Sequence, residues 1–473
     1  MTILPIDPVA NRNPAALRGF LADCQKVAIR RDHPQLVSIS LEVDALDPLA
    51  VLESIFEPGE RHFYVERPAE RKAIAGAEAV VAFTASGPER FARCQDFVAE
   101  TLEHTLAVGS LTAPFSGPHF FTAFTFADET EAGEAFPAAS LFVPRWQVAL
   151  QGERTVAVAN LLIDASSPLD ALTEKVWRAH GKFAAFDYAG PSFGVRPAPA
   201  VTVAEVGPAG GYRQAVQGAL DLIARQAFTK IVLARAKDLT AAEPFHPLRI
   251  LNGLRQRFAD CYAFSLANGR GQSFIGASPE RLLRIEDGRL LTEALAGSTG
   301  RGASAREDGA IAAALQRGDK EAREHRVVLE TIVASLTALG LEPEFAARPE
   351  VRRYANVQHL HTAIGAAVPA GLRFLDVAAL LHPTPAIGGA PKAAALAAIR
   401  ALEGFPRGLY GGALGWLDAR GGGELLVGIR AGLIDGARAR LYAGNGIVAG
   451  SSPENEWAET ELKFRAMQEA LLG

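Results

Sequence analysis

The sequence predicts an α+β fold in which mainly antiparallel β-sheets are flanked by helices. Two observations indicate this class. Some neighbouring strand patterns are joined by turns of hairpin length, such as Glu286–Asp287–Gly288, and hairpins join antiparallel strands. Strand and helix patterns also do not alternate strictly along the chain, as they would in a doubly wound parallel sheet.

Residues 1–188 form a first α+β region of short apolar runs separated by loops rich in Pro and Gly. The run Val37–Val43 alternates apolar and polar residues, which predicts a half-buried strand. No pattern in this region indicates chemistry. Residues 189–211 are rich in Pro and Gly, which interrupt helices and strands alike, so they predict a linker or a long connection. We expect residues 212–473 and the first region to form one compact fold.

The second region contains the remaining predicted elements. Apolar residues three and four positions apart predict helices, and short apolar runs that are partly β-branched predict strands. In chain order these are a helix over about Tyr212–Ala227, strands over Lys230–Leu239, Phe274–Gly276 and Leu282–Ile285, a long helix through Val327 and Leu339, strands over Leu425–Ile429 and Leu441–Ala443, and a final helix over about Glu456–Leu472.

The composition argues against several classes of function. Of the 473 residues, 49% are apolar and 21% are charged, which is ordinary for a globular protein. Lys and Arg total 48 and Asp and Glu total 53, a net charge of −5, so no general attraction to nucleic acid or to anionic membranes is expected. Neither a signal peptide nor a membrane-spanning run is visible. We expect a cytoplasmic protein that binds neither nucleic acid nor a membrane.

Zinc-binding and disulfide patterns are weak. The three cysteines lie far apart in the sequence, so neither a disulfide framework nor a cysteine zinc site is indicated. His359 and His361 would share one face of a strand, but no third or fourth ligand lies nearby in the sequence, and zinc typically needs them.

Charged residues at helical spacing are more informative. On the last helix, Glu456, Glu459 and Lys463 are expected to share a face other than the apolar one. Glu321 and Glu324 repeat the three-residue spacing near the start of another helix. Each pair by itself is typical of a solvated face. Two such faces brought together would offer carboxylate oxygens to a hard cation such as Mg²⁺.

Three further charged residues lie at the ends of apolar segments, and each has two interpretations. Lys230 opens a strand, where it either reaches solvent or, if desolvated, loses its charge and serves as a base. Glu280 either forms a surface salt bridge or, if buried, has a raised pKa and a proton to donate. Arg430 is either a solvated strand end or an anion clamp. Local sequence leaves all three open.

Seven segments occur in the order found in the chorismate-utilising enzymes, and the chain resembles that family over about Tyr212–Ala466. The segments are Lys230–Arg235, Gly276–Arg281, Glu293–Ser298, Val357–Leu360, His382–Gly389, Tyr442–Val448, and Glu456–Thr460 with Lys463. The resemblance implies the fold of anthranilate synthase component I, with two layers of largely antiparallel sheet and the site in a cleft between them. Residues 212–473 would then be the chorismate-binding catalytic region.

The resemblance also implies a Mg²⁺ ion on the ring carboxylate of chorismate. Glu324 and Glu459 match the metal carboxylates, and Glu321 and Glu456 would hold these ligands or metal-bound waters. Glycines would let backbone N–H groups approach the anion. The candidate substrate-binding residues are Gly297, Ser298, His359, Ala386, Arg430, Tyr442, Gly444 and Lys463, of which Arg430 and Lys463 would contact carboxylates.

Two positions indicate the branch of the family. Lys230 matches the base lysine of the branches that add water, and Ala296 stands where the aminodeoxychorismate branch carries a nucleophilic lysine. Alanine cannot form that adduct, so the resemblance implies water as nucleophile and no obligatory glutaminase subunit. The segment Pro385–Gly389 is most similar to the isochorismate synthases. In the implied reaction Lys230 is the base, and Glu280, on the opposite ring face, is the acid.

Alternatives remain at this point. A salicylate synthase would go on to eliminate pyruvate, and an ammonia-using aminodeoxychorismate or anthranilate synthase component would release an aminated product. A catalytically inactive binding or scaffold subunit is a third possibility, but every expected acid, base and metal position carries a competent residue. The sequence does not distinguish menaquinone, siderophore and salicylate biosynthesis.

Overall fold

The computed structural model describes residues 1–3, 13–184, 186, 200–355 and 357–472. These residues form eleven α-helices and twenty-two strands. The helices are α1 (Pro14–Arg31), α2 (Pro48–Ser54), α3 (Arg90–Glu103), α4 (Leu169–Ala184), α5 (Gly211–Ala224), α6 (Pro247–Arg257), α7 (Ala305–Arg317), α8 (Asp319–Ala338), α9 (Phe374–Leu381), α10 (Lys392–Glu403) and α11 (Pro453–Leu472).

The strands extend across both predicted regions. They are β1 (Thr2–Ile3), β2 (Gln35–Val43), β3 (Arg61–Arg67), β4 (Lys72–Ala85), β5 (Thr105–Gly109), β6 (His119–Phe124), β7 (Ala139–Gln151), β8 (Arg154–Ile163), β9 (Val201–Glu205), β10 (Lys230–Ala241), β11 (Tyr262–Asn268), β12 (Gln272–Ser278), β13 (Arg281–Glu286), β14 (Arg289–Gly300), β15 (Glu344–Phe345), β16 (Glu350–Arg353), β17 (Val357–Ala367), β18 (Gly389–Ala390), β19 (Ala413–Asp418), β20 (Gly423–Val427), β21 (Ala431–Asp435) and β22 (Arg438–Val448).

Two series of paired strands position the site. One series runs β10–β22–β21–β12–β11–β3–β4, and the other runs β7–β6–β19–β20–β13–β14–β17. Strands β4 and β7 pair and join the two series. Within the described residues the only parallel pairs are β1–β5 and β2–β5. The prediction of a mainly antiparallel α+β fold is therefore confirmed.

Strand pairs connect the two predicted regions. β3 pairs with β11, and β6 pairs with β19, so strands from residues before 189 and after 211 lie in the same sheets. Of the predicted connection 189–211, residues 189–199 lie outside the described residues. Val201–Glu205 forms β9, which pairs with β10, a strand that the Pro/Gly-rich composition did not predict.

The predicted hairpin between β13 and β14 is confirmed. Its two turn residues, Asp287 and Gly288, have φ values of 49° and 71°. Positive φ at both central positions is the geometry of a type I′ turn, whose twist matches that of the strands. The turn therefore sends β14 back along β13 and toward the site.

Helix α8 packs its apolar side on β14 and β17, as its spacing predicted. Val328, Ile332 and Leu336 are fully buried in the same core cluster as Ala294 and Ile364. This packing fixes the first turns of α8, and with them Glu324, beside the sheet. No helix among the described residues is both long and apolar enough to cross a membrane.

The face predicted for Glu456 on α11 is wrong. Glu456, Thr460 and Phe464 follow one another at four-residue spacing and are all buried. The Glu456 carboxylate tolerates burial because Lys320 Nζ and Asn445 Nδ2 donate hydrogen bonds to its two oxygens, at 2.9 and 3.1 Å. A buried charge with such partners is far less costly than an isolated one.

Candidate active site

A cleft-like cavity with about 680 Å³ of space between protein atoms, part of it open to solvent, lies between the two strand series. One wall comes from β10 and β22 and the other from β14 and β17, and the segment between β12 and β13 contributes to it. The predicted site residues that line it are Glu280, Ser298, Glu324, His359, Ala386, Arg430, Tyr442, Gly444 and Lys463.

Lys230 lies behind the cavity wall. Its side chain is fully buried, and its Nζ donates a hydrogen bond to Glu324 Oε1 at 3.0 Å. The solvent-exposed interpretation of Lys230 is therefore wrong. Gly446 makes room for this pair, because a Cβ there would overlap the Glu324 carboxylate and lie 3.0 Å from Lys230 Cε. Acting as a base would require Lys230 to release Glu324 and to be uncharged.

Glu280 is the buried carboxyl that the sequence could not distinguish from a surface residue. It is 3% exposed and lines the cavity. Burial, together with the nearby charge of Glu293, raises its pKa to about 8, although Lys230 opposes the shift. Glu280 therefore keeps its proton at neutral pH and can donate it to a group bound in the cavity.

His359 lines the cavity and has one ring nitrogen without a hydrogen-bond partner. Its Nδ1 lies 2.8 Å from Ser298 Oγ, whereas Nε2 is buried without a partner. Burial and the charges of Arg430 and Lys463 hold its pKa well below the usual value, so the ring is neutral. If Ser298 donates to Nδ1, Nε2 carries the hydrogen and can donate to a bound oxygen.

Arg430 is a buried cation on the cavity wall. It is 9% exposed, its φ of 51° lies in the left-handed region, and within the described part of the chain it forms no ion pair. Burial lowers its pKa, but arginine stays charged at neutral pH. A strained backbone that holds a desolvated guanidinium fits a site for an anion.

Lys463 is already engaged by protein atoms. Its Nζ contacts Glu459 Oε1 at 2.8 Å and Gly444 O at 3.0 Å, and it also donates to Asn445. It therefore meets a ligand carboxylate only by exchanging one of these partners. Gly444 itself gives room to Tyr410, whose Oη would lie 3.0 Å from a Cβ at that position.

The sequence reasoning missed Tyr410 and Arg407, which also line the cavity. Tyr410 stacks on Tyr442 with ring centroids 5.1 Å apart, and its hydroxyl faces Gly444. Arg407 is held by a buried ion pair with Glu403 and by the carbonyl of Val232. The available signal was a tyrosine in a Gly-rich turn directly before the apolar strand β19, which is weak without tertiary context.

A family model described as chorismate binding enzyme matches residues 20–472. The chain belongs to this chorismate-binding family. The salicylate biosynthesis isochorismate synthase of Pseudomonas aeruginosa is 35% identical over 466 residues, which cover 96% of this chain and 94% of that protein.

Two solved structures share the fold. The menaquinone-specific isochorismate synthase MenF of Escherichia coli superposes with a TM-score of 0.76 at 27% identity, over 96% of this chain and all of that one. Anthranilate synthase component I of Streptococcus pneumoniae gives a TM-score of 0.68 at 22% identity, over 84% of this chain and 92% of that one. The fold class expected from the resemblance is confirmed.

The family resemblance implies a Mg²⁺ ion, and the carboxylates by the cavity fit one by their chemistry. Glu456 binds Lys320 directly at 2.9 Å. Burial lowers the Lys320 pKa, but the charges of Glu456, Glu324 and Glu459 raise it above its ordinary value, so the three carboxylates lie in one electrostatic neighbourhood. Mg²⁺ takes one or two carboxylates and completes its shell with water and anionic substrate. Among the described residues no three His, Cys, Asp or Glu side chains form a ready metal cage.

The four predicted metal residues differ in position. Glu324 lies on the cavity wall, where Lys230 pairs with it, and Glu459 contacts the wall residue Lys463. The metal role of these two residues stays a prediction. Glu456 has both oxygens occupied by Lys320 and Asn445, which suits a supporting role. Glu321 lies on the first turn of α8, where its Cβ would be 3.1 Å from a Cβ at Gly297, a residue with φ of 75°.

Proposed function

We propose that the chain is an isochorismate synthase, which converts chorismate to isochorismate. The names of its relatives support this activity. The structural observation that supports it most is the buried, protonated Glu280 in the cavity. The reaction needs an acid that still holds its proton at neutral pH to release a ring hydroxyl as water. Ala296 also lines the cavity, so a lysine nucleophile is absent from that position and water takes its place.

The proposed mechanism adds one water and releases another. Lys230, once uncharged, takes a proton from water, whose oxygen bonds to the ring carbon next to the one bearing the carboxylate. The ring double bonds shift, and the C4 hydroxyl leaves with the proton of Glu280. Solvent then returns a proton from Lys230 to Glu280, so the net change is an isomerisation without an oxidant or a glutaminase subunit.

The other cavity residues would hold the substrate. Arg430 would pair with one carboxylate, and His359 Nε2 would donate a hydrogen bond to an oxygen of the bound molecule. Ser298 keeps the His359 ring oriented, while Tyr410 and Tyr442 close the side of the cavity near Gly444. Mg²⁺, held by Glu324 and Glu459, would supply positive charge to the ring carboxylate.

The test is incubation of the protein with chorismate and Mg²⁺, with separation of the products by chromatography. Isochorismate as the main product supports the proposal. Salicylate formed without a second enzyme would identify the protein as a salicylate synthase instead. An aminated product formed with ammonium would assign it to the ammonia-using branch. Chorismate binding without any product would indicate an inactive subunit.

The pH dependence follows from Glu280. Its carboxyl must be protonated to release the hydroxyl, and its pKa is raised to about 8 by burial and by Glu293. Turnover of chorismate should therefore fall as the pH rises through about 8. A pH profile of kcat/KM from about pH 6 to 10 checks this, because kcat/KM reports the acid of the free enzyme. A flat profile through pH 8 would contradict the acid assignment.

Arg430→Gln should weaken chorismate binding about 10- to 100-fold, the usual cost of losing a hydrogen bond to a charged group. The measurement is the Kd of chorismate by calorimetry in the presence of Mg²⁺. Arg400→Gln is the control, because the Arg400 side chain is 80% exposed and lies outside the cavity. Equal affinity of the two variants would exclude Arg430 as the anion clamp.

A further inference from the structure

Glu293 is a buried carboxylate that the mechanism above does not use. It lies on β14, is 5% exposed, and accepts a hydrogen bond through Oε1 from the backbone N–H of Arg281 at 2.7 Å. That N–H belongs to the peptide unit directly after Glu280. Glu293 therefore holds the backbone that carries Glu280.

Several hydrogen-bond donors surround the Glu293 carboxylate. His361 Nε2 lies 2.9 Å from its Oε2, and Arg352 Nη1 donates to the same oxygen at 3.2 Å. Burial opposes ionisation, but the hydrogen bond from His361 and the charge of Arg281 overcome it and hold the Glu293 pKa below its ordinary value. A full negative charge therefore persists behind the cavity wall.

The groups around Glu280 come from four elements. Glu293 faces it from β14 and Lys230 from β10, while Tyr410 and Thr384 approach from the two loops that flank α10. Glu293 is the anion among them and Lys230 is the cation. A negative charge near a buried carboxyl disfavours ionisation of that carboxyl. The two glutamates therefore have different protonation states: Glu293 is ionised and Glu280 is protonated.

We propose that Glu293 is a positioning residue, which fixes the backbone of Glu280 and by its negative charge keeps the Glu280 carboxyl protonated. The protonation effect is a property of the folded protein without substrate. Its catalytic consequence rests on the proposed function, in which Glu280 is the acid.

Glu293→Gln tests the charge while keeping the shape, because the amide oxygen can still accept from the Arg281 N–H. We expect Glu280 to titrate at a pH lower by about one unit. The direct readout is infrared difference titration of the substrate-free protein, with the Glu280 carboxyl band identified by its loss in Glu280→Gln. The second readout is the pH at which kcat/KM falls, which should move by the same amount because kcat/KM reports the free enzyme.

Two further variants control the result. Glu350→Gln removes a carboxylate that contacts His361 Nδ1 at 2.8 Å but is 72% exposed, and it should leave the Glu280 titration unchanged. Arg352→Gln removes a cation beside Glu293, which leaves more of the negative charge uncompensated, so Glu280 should titrate at higher pH. This second shift tests the proposal even if Glu293→Gln fails to fold.

Opposite shifts in Glu293→Gln and Arg352→Gln support the proposal. An unchanged Glu280 band in both variants, or in Arg352→Gln alone if the other does not fold, would overturn it. A reduced kcat with an unmoved pH profile would show that Glu293 is only structural. If the band shifts but wild-type protein forms no isochorismate, the positioning role stands and the proposed function fails.

Discussion

Glu280→Gln is expected to lower the turnover of chorismate about 10²- to 10⁴-fold, the usual contribution of a general acid, while chorismate still binds. Glutamine keeps the size of the side chain but has no acidic proton for the leaving hydroxyl. The kcat for isochorismate formation and the Kd for chorismate measure the two effects separately. Wild-type turnover by this variant would remove Glu280 from the mechanism.

The same variant has a signature that does not depend on catalysis. In the folded protein the Glu280 pKa is raised from an ordinary value of 4.5 to about 8 by burial and Glu293. Between these values the folded state binds more protons than the unfolded state, so the wild-type free energy of unfolding falls as the pH rises. Glu280→Gln lacks this fall and should gain Tm relative to the wild type from pH 4.5 to 8. A constant Tm difference would show that Glu280 does not retain its proton.

Lys230→Met is expected to have the second large effect, on both stability and turnover. It leaves the Glu324 carboxylate without its buried partner, which typically costs about 3–5 kcal/mol in the free energy of unfolding. It also removes the proposed base, which should lower kcat about 10²- to 10⁴-fold. Denaturant unfolding without Mg²⁺ and chorismate turnover with Mg²⁺ measure the two losses.

Two matched variants separate stability from chemistry. Lys230→Met/Glu324→Gln removes both charges and should recover much of the lost stability without recovering turnover. Lys237→Met changes another buried lysine of β10, one that pairs with Glu461 at 2.7 Å. It should lower stability while folded protein still turns over chorismate. Full turnover by Lys230→Met would exclude Lys230 as the base.

Local sequence patterns predicted much of the framework. The Asp287–Gly288 turn, the alternation in β2 and the apolar stripe of α8 depend on backbone dihedral preferences and on the periodicity of a helix or strand. These properties act over a few residues, and the structure confirms the turn, the strand and the stripe. The prediction that β2 is half-buried is wrong, because Ser38 and Ser40 are as fully buried as Val37 and Ile39. The order of the seven segments also indicated the chorismate-binding family before any contact was known.

The sequence did not predict which charged residues are buried. Glu456 was placed on a solvated face, but Lys320 and Asn445 satisfy its carboxylate and allow it to lie beside Phe464. Tyr410 was missed because its position in the cavity depends on its stacking with Tyr442. Both outcomes depend on residues from other elements.

By itself, the sequence determined the α+β class, the family and the set of chemically competent residues. Only the tertiary structure decided their states, because burial and Coulomb interactions depend on distance in space. Lys230 is paired with a glutamate 94 positions away, and Glu293 is charged beside a histidine 68 positions away. The protonation of Glu280 follows from that packing and from no pattern in its neighbouring residues.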